Sequence, residues 1–210
     1  MTDFDLATVD RLLGTTRAVR RRLDPSRPVP RGLVLDCLRL SQQAPTASNQ
    51  QTWRWIVVDD AAKRRELGAL YAQGIPAIRA SEPQAVRDAQ TRRVYDGALW
   101  LAEHLGEMPV LAIPCVVGRL PADAPLVIAA SVFGSIYQAV WSFQLALRSR
   151  GLGSTFTTMH LLFEEQARKI LGLPEDLMQV ALLPIAYTKG GEFRPAERPP
   201  VETIVHWNGW

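Results

Sequence analysis

The sequence predicts an α+β domain, on three observations. Helical and strand-like apolar patterns are mixed along the chain rather than segregated or strictly alternating. Two short runs, "VLAIPCVV" and "VALLPIAY", are continuously apolar, as strands buried on both faces are. Between them lies an uncharged helical stretch, residues 126–147. With 210 residues, 47% of them apolar and 21% charged, the chain fits one domain, 1–210, with a sizeable core.

In order, apolar residues at 6, 9, 12 and 13 predict a first helix over residues 5–15. A second opens after Pro30, with Leu33, Val34, Cys37, Leu38 and Leu40 or Ser41 on one side. "WRWIVV" reads as a strand, and Asp59 or Asp60 can cap the helix "AAKRRELGALYAQ". "QGIPAIRASEP" is expected to be a loop, and "QAVRDAQTRRVYDGALWLAEHLGEM" a longer helix. As a helix, residues 126–147 would reach about 33 Å, enough to cross a bilayer. Ser131, Ser135, Gln138 and Ser142 form a polar stripe beside Gly134 and Ala139, which predicts instead a central helix packed closely by others. Gly151 then ends that helix in a left-handed cap. "GSTFTT" is a short strand, "EEQARKILGL" a helix, and "VETIVHW" a strand-like ending to a proline-rich, aromatic tail expected to wrap a neighbour.

Composition excludes several classes. Arg makes up 21 of the 24 basic residues, Lys standing only at Lys63, Lys169 and Lys189. No zinc finger, RNA-binding aromatic motif or basic zipper accompanies that charge, so no nucleic-acid partner is expected. Cys37 and Cys115 lie far apart in apolar runs, which suits buried thiols in a reducing compartment. The N-terminal "MTDFDLATVDRLLG" lacks the pattern of a signal peptide, and a cytoplasmic protein with no membrane partner is expected. GxSxG and HExxH are absent, and His104, His160 and His206 share no metal-ligand spacing, so no metal is expected. Asp96 and Glu103 have Arg92 and Arg93 nearby and read as ion-paired surface carboxylates. "GLGST" lacks the third glycine of a dinucleotide fingerprint and follows a helix. An enzyme without this machinery leaves its chemistry to an organic cofactor.

Two Arg-bearing segments are the positive signals. In "TTRAVRRRLD", Arg17 and Arg20 can converge on one anion. In "FRPAERPP", prolines stiffen a loop that holds Arg194 and Arg198. A third segment, "APTASNQQTWR", offers hydroxyls, amides and free backbone groups without an acid, a base or a metal ligand, which suits a polar, uncharged ligand.

Taken in order, "TTRAVRRRLDPSRPVP", "APTASNQQTWRWIVV", "GLGSTFTTMHLL…LGLPED…ALLPIAY" and "FRPAERPPVETIVHW" resemble the nitroreductase family of FMN-dependent oxidoreductases. The resemblance runs from about Leu6 to the C-terminus and is weakest over residues 74–108. It implies a three-layer α+β sandwich, with a central, mainly antiparallel sheet flanked by helices. It also implies a homodimer with FMN at the interface, a long central interface helix and a tail that extends onto the partner subunit.

Carried over residue by residue, the resemblance puts Thr16, Arg17 and Ala18 at the FMN phosphate region, Ala18 standing where the family has Ser. Arg20 would reach the flavin edge near N1 and O2, where a fixed cation stabilises the charge of reduction. Pro45, Thr46, Ala47 and Asn49, given by the partner subunit, would line the ribityl chain and ring edge, with Thr46 in place of Ser and Thr52 in place of Pro. Gln51 and Trp53 would hold that loop together. Thr157, Thr158, Met159 and His160 would lie beside the flavin, with a backbone N–H of the segment at N5. His160 is either a substrate contact or a structural or exposed residue. Arg198 would take the phosphate, with Glu197 where the family has a basic neighbour, and Arg194 is a weaker candidate.

The implied activity is hydride transfer from NADPH or NADH through the flavin to a nitroaromatic, quinone or other conjugated small-molecule acceptor, in a ping-pong cycle. No protein side chain need be catalytic. A loop over 72–90 would be mobile and cover the site. Alternatives are a flavin-storing or flavin-sensing protein, and a reductive dehalogenase or flavin-modifying enzyme of the same fold.

Overall fold

A computed structural model describes residues 4–81 and 88–210. Its centre is strand β3, Val110–Val117, which alternates between two cores. Leu111, Ile113 and Cys115 face one, while Val110, Ala112 and Val116 face the other. A strand that is apolar at both parities must be covered on both sides, and helices do so here.

Helices α1 (Leu6–Thr15) and α2 (Arg31–Ser41) precede strand β2 (Trp53–Val58), with the two-residue strand β1 (Leu23–Asp24) between them. Next come α3 (Ala61–Ala72), α4 (Ile75–Ser81) and α5 (Ala89–His104), then β3 and the long α6 (Leu126–Ser149). Strand β4 (Leu152–Ser154), helix α7 (Glu164–Leu171) and strands β5 (Leu177–Gln179) and β6 (Leu183–Thr188) complete the sandwich. The sheet runs β1-β6-β3-β2, with β4 also on β6 and β5 on β3, and these pairs are antiparallel. The first core packs Leu67, Leu70 and Tyr71 of α3 and Leu101 of α5 on the sheet. The second packs Val34 and Cys37 of α2 and Ile136, Val140, Phe143 and Leu147 of α6.

Local chemistry explains the boundaries. Asp5, Asp60 and Asp88 each cap a helix with a side-chain oxygen. Asp59 is left to form a bidentate pair with Arg31, at 2.5 and 2.8 Å. Pro114 sits where β3 passes from β6 to β5, a change of partner at which a missing N–H costs least, and its carbonyl accepts from Val180. Gly151 closes α6 at φ 76°, as expected.

Three expectations are corrected. The segment expected as loop, residues 73–83, carries helix α4 over Ile75–Ser81, anchored by the bond from Tyr95 Oη to the Ser81 carbonyl, 2.8 Å. The rest of the expected mobile loop over 72–90 includes 82–87, outside the described residues. The tail forms no strand among the described residues. A helical turn at Val201–Thr203 replaces it, with Val201, Ile204 and Trp207 exposed. Helix α6 is not enclosed all round: it buries one face, while Leu126 is 84% and Trp141 45% exposed. Its polar stripe is partly self-satisfied, since Ser131 and Ser135 donate to carbonyls four residues back.

Helix α3 meets the turn after α5 with no room for a side chain. A Cβ on Gly68 would lie 2.6 Å from Gly106 N and 2.7 Å from Gly106 Cα, both backbone atoms that cannot give way. Gly68→Ala should cost about 2 kcal/mol or more in stability by overpacking. Gly14→Ala, with nothing within 4 Å of the added carbon, should be neutral or stabilising in α1. Chemical denaturation of the two variants checks the contrast.

Candidate functional site

The chain leaves α1 at Thr16, whose hydroxyl donates to the Leu12 carbonyl at 2.6 Å, and runs on as an extended arm. Ala18 pairs with Ser154 in a parallel bridge, and Val19 N–H donates to Ser154 O at 2.9 Å. Gln144 of α6 donates to Ser154 Oγ at 3.1 Å from within the core. Val19 is buried by this arrangement, which turns Ala18 outward.

Arg20 lies half-buried against Gly97 of α5, where a Cβ would come within 3.4 Å of its Cδ. Among the described residues no carboxylate pairs with it. Burial pulls its guanidinium below the usual value, opposed by the neighbouring Tyr71. A partly desolvated cation without an acid partner is costly unless an anion or a ring of polar acceptors meets it. Arg17 is placed differently. Its Nη1 donates to the Arg194 carbonyl at 2.7 Å, so the arm holds the start of the tail. Arg22 does the same, donating to the Lys189 and Gly191 carbonyls and stacking over Phe193 at 3.9 Å.

Thr157 stands beside this arm. Its backbone N–H and C=O both pair with Leu182, so the N–H of Thr157 is not free for a ligand. No partner among the described residues takes the N–H groups of Thr158 or Met159. Thr158 is exposed and Met159 half-exposed. The Thr157 hydroxyl meets Tyr71 Oη at 2.5 Å. Met159 packs over Gly74, where a Cβ would come within 2.5 Å of its Cγ.

The loop over 45–49 is bent into an unusual shape. Ser48, Asn49 and Gln51 all have φ between 50° and 54°, a conformation that costs non-glycine residues of order 1 kcal/mol each. Three bonds hold it: Gln51 N–H to Thr46 Oγ1 at 3.2 Å, Gln51 Nε2 to Asn49 Oδ1 at 2.8 Å, and Ala47 N–H to Ser135 Oγ at 3.0 Å. Gln51 therefore holds the loop, as expected, and Pro45, Ala47 and Asn49 remain exposed around half-buried Thr46.

The structure brings Arg20 and Thr157 together through Tyr71, next to Ala18. It does not bring the 45–49 loop to them within one chain. That loop is tied to α6 at Ser135 and the Arg arm at Gln144, nine residues on, which is roughly 13 Å along the helix. Arg198 is exposed, its Nη1 on the Glu197 carbonyl, and it lines a groove with Asp88, Gln90 and Arg93. No contact among the described residues joins it to Arg17.

His160 is corrected as a flavin or substrate contact. It is 0% exposed, and neither ring nitrogen has a partner among the described residues. A side chain without accessible surface cannot touch a ligand. Among the described residues no group of three or more His, Cys, Asp or Glu could hold a metal ion. Tyr71 escaped the sequence reading because its partner is 86 positions away and nothing in "LGALYAQ" marks it.

The nitroreductase family model matches residues 13–187 of this chain. The chain is similar to an NADH dehydrogenase of Thermus thermophilus, at 28% identity over 91% of each chain. It is similar to a 5,6-dimethylbenzimidazole synthase of Rhodospirillum rubrum, also at 28% identity, over 87% of this chain and 80% of that one. Among solved structures, an iodotyrosine deiodinase bound to FMN and 3-iodo-L-tyrosine superposes with a TM-score of 0.72. That match has 22% identity and covers 95% of this chain and 98% of the other. The three relatives carry different activities on one fold.

His160 also sets a pH response. Burial depresses it to about 4, against the pull of the nearby Glu164 carboxylate. The unfolded chain binds a proton near pH 6.5 that the folded chain refuses until about pH 4. Stability is therefore full above 6.5 and is lost as pH falls through that window, by about 3 kcal/mol in all. Urea denaturation at pH 7 and pH 4.5 should show the loss, and His160→Leu should remove most of it.

Proposed function

Because the chain belongs to the nitroreductase family, we propose that it is an FMN-dependent oxidoreductase that takes hydride from NADPH or NADH and passes it to a conjugated small-molecule acceptor, such as a nitroaromatic or a quinone. The observation that carries this reading is Arg20, half-buried, free of any carboxylate among the described residues, and next to Tyr71, whose hydroxyl bonds Thr157.

The donor set fits the cofactor. Arg17 and Arg20 supply positive charge, and Ala18, Thr158 and Met159 offer backbone N–H groups without a partner among the described residues. The loop over 45–49 adds neutral hydrogen bonders, including the Asn49 amide. Cations, amides and hydroxyls without an acid suit a phosphorylated polyol joined to an imide-like ring. FMN, when bound, supplies the atom that accepts and returns hydride. Arg20 would hold its charge where negative charge grows during reduction, with its burial strengthening that interaction. Arg17 would neutralise the phosphate, and the N–H groups after Thr157 would fix the ring edge.

The divided geometry supports a site made by two copies. The Arg arm and the 45–49 loop lie apart along α6, and the face of α6 carrying Leu126, Val127, Ile128 and Trp141 is open in one chain. A contiguous apolar face of this kind marks an interface. Packing α6 against its copy would cover it and let the loop of one chain reach the arm of the other. Around that seam, Phe133 stacks on Tyr137 at 5.5 Å, and Tyr137 meets Phe156 edge-on at 5.5 Å, an aromatic surface suited to a flat acceptor.

The visible spectrum of the purified protein is the test. Two flavin bands that bleach on anaerobic addition of NADPH or NADH are expected, and a colourless protein that also refuses added FMN would overturn the reading. Arg20→Ala should slow flavin reduction by on the order of a hundredfold while FMN affinity falls less. Asn49→Ala should weaken FMN binding about fivefold, through one lost hydrogen bond. Mixed dimers of the two variants should recover one intact site, which FMN titration and stopped-flow reduction would reveal as tight binding combined with fast reduction, a combination absent from either variant alone.

A further inference from the structure

We infer that Tyr71 is a positioning residue: its hydroxyl turns the Thr157 hydroxyl outward, as a hydrogen-bond donor to the group held beside Arg20. This rests on the flavin reading and adds to it a residue that touches neither cofactor nor acceptor. Tyr71 is only 3% exposed and lies in the first core with Leu67 and Leu70. Its hydroxyl has one partner among the described residues, Thr157 Oγ1, at 2.5 Å.

Either oxygen can donate in an isolated pair of hydroxyls, but the surroundings choose. Tyr71 is buried, its phenol hydrogen has Thr157 Oγ1 as its one acceptor among the described residues, and Arg20 favours the same polarity because a guanidinium is only a donor. The phenol oxygen therefore turns its lone pairs toward Arg20 and its hydrogen toward Thr157. The reverse polarity would aim the phenol hydrogen at a cation and leave it without an acceptor. Thr157 cannot relay through its backbone, because its N–H and C=O are both committed to Leu182. With its oxygen accepting from Tyr71, the threonine hydrogen is the one free donor of that residue. Thr157 is half-exposed where Tyr71 is buried, so this donor faces out of the core. The chain Arg20, Tyr71, Thr157 is ordered from charge to donor, and each member polarises the next.

A double-mutant cycle tests this. FMN affinity by fluorescence quenching and the position of the flavin absorption bands would be measured for wild type, Tyr71→Phe, Thr157→Val and the double variant. Each single change should weaken FMN about fivefold and shift the bands in the same direction, and the double variant should go no further. Thr157→Ser, which keeps the hydroxyl, should stay within about twofold of wild type. Wild-type affinity and bands in Tyr71→Phe, or effects that multiply to about twenty-fivefold in the double variant, would overturn the inference while leaving the flavin reading intact. A wild-type chain that takes no FMN would overturn both. If Tyr71→Phe does not fold, the two Thr157 variants decide: Val shifted with Ser unshifted supports the outward donor, and any other pairing overturns it.

Discussion

One backbone hydrogen bond, from Val19 N–H to the Ser154 carbonyl, ties the candidate site to β4. It acts together with β1, which pairs with β6, and with the Lys189 N–H, which donates to the Arg22 carbonyl at 2.7 Å. The arm is thus pinned to β4, and β4 is pinned to β6 in the sheet. The join is close-packed. A Cβ at Gly153 would lie 2.6 Å from Thr188 Cγ2 and 3.1 Å from both Leu23 and Val19, so glycine is what lets arm, β4 and β6 meet. Gln144 reaches in from α6 to bond Ser154, the same residue that accepts from Val19. Helix, sheet and arm therefore move as one body, and Arg20 inherits the position of the core.

That junction also sorts the arginines. In sequence the run over 17–22 looks uniform, and any member could serve an anion. The fold separates them by depth and partner. Arg22 is spent on the tail, with two carbonyls and the Phe193 ring. Arg17 already touches the tail through the Arg194 carbonyl. Elsewhere Arg31, Arg119 and Arg168 are matched with Asp59, Glu164 and Glu165. Arg20 differs from these in being half-buried with neither a carboxylate nor a carbonyl partner among the described residues, and burial lowers its pKa. Desolvation is what distinguishes it, and desolvation cannot be read from a string of like residues.

What was legible in the sequence followed from short-range rules. The continuous apolar run at 110–117 announced a strand covered on both faces, and the structure puts alternate residues in two cores. The first helix was legible from its apolar spacing, the start of α3 from Asp59 or Asp60, and the end of α6 from Gly151. The order of four loose motifs carried the family, because each is weak alone and their succession is constrained. Contacts across long separations were not legible. The meeting of Tyr71 with Thr157 spans 86 positions, and β1 is a two-residue strand with no pattern of its own. His160 was left open between a contact and a structural residue for a related reason, since only the turn that follows, which folds it into the core, decides its depth. The tail misled in the other direction, since its alternating residues can form a strand only if another strand is there to pair with it.

Helix α6 shows how one pattern can satisfy three physical environments. A run of 22 uncharged residues suits lipid, a protein interior or a subunit interface equally well by hydropathy. The fold breaks the tie in part. One face, with Ile136, Val140, Phe143 and Leu147, is core, so the C-terminal half of the helix is anchored in the domain. The other faces are open and mix apolar residues with the stripe of Ser131, Ser135, Gln138 and Ser142, and they are not featureless: Ser135 is bonded to the strained loop at Ala47, and Tyr137 bridges Phe133 to Phe156. A lipid-facing surface has no use for a hydrogen-bonded loop built with three left-handed residues, whereas a protein interface does. The strain in that loop is sustained by its tie to α6. In the proposed two-chain site, the same helix would bury its open face and carry each loop to the opposite arm. The charge at Arg20 and the neutral donors at 45–49 would then meet only across the seam, so that assembly and cofactor binding become one event.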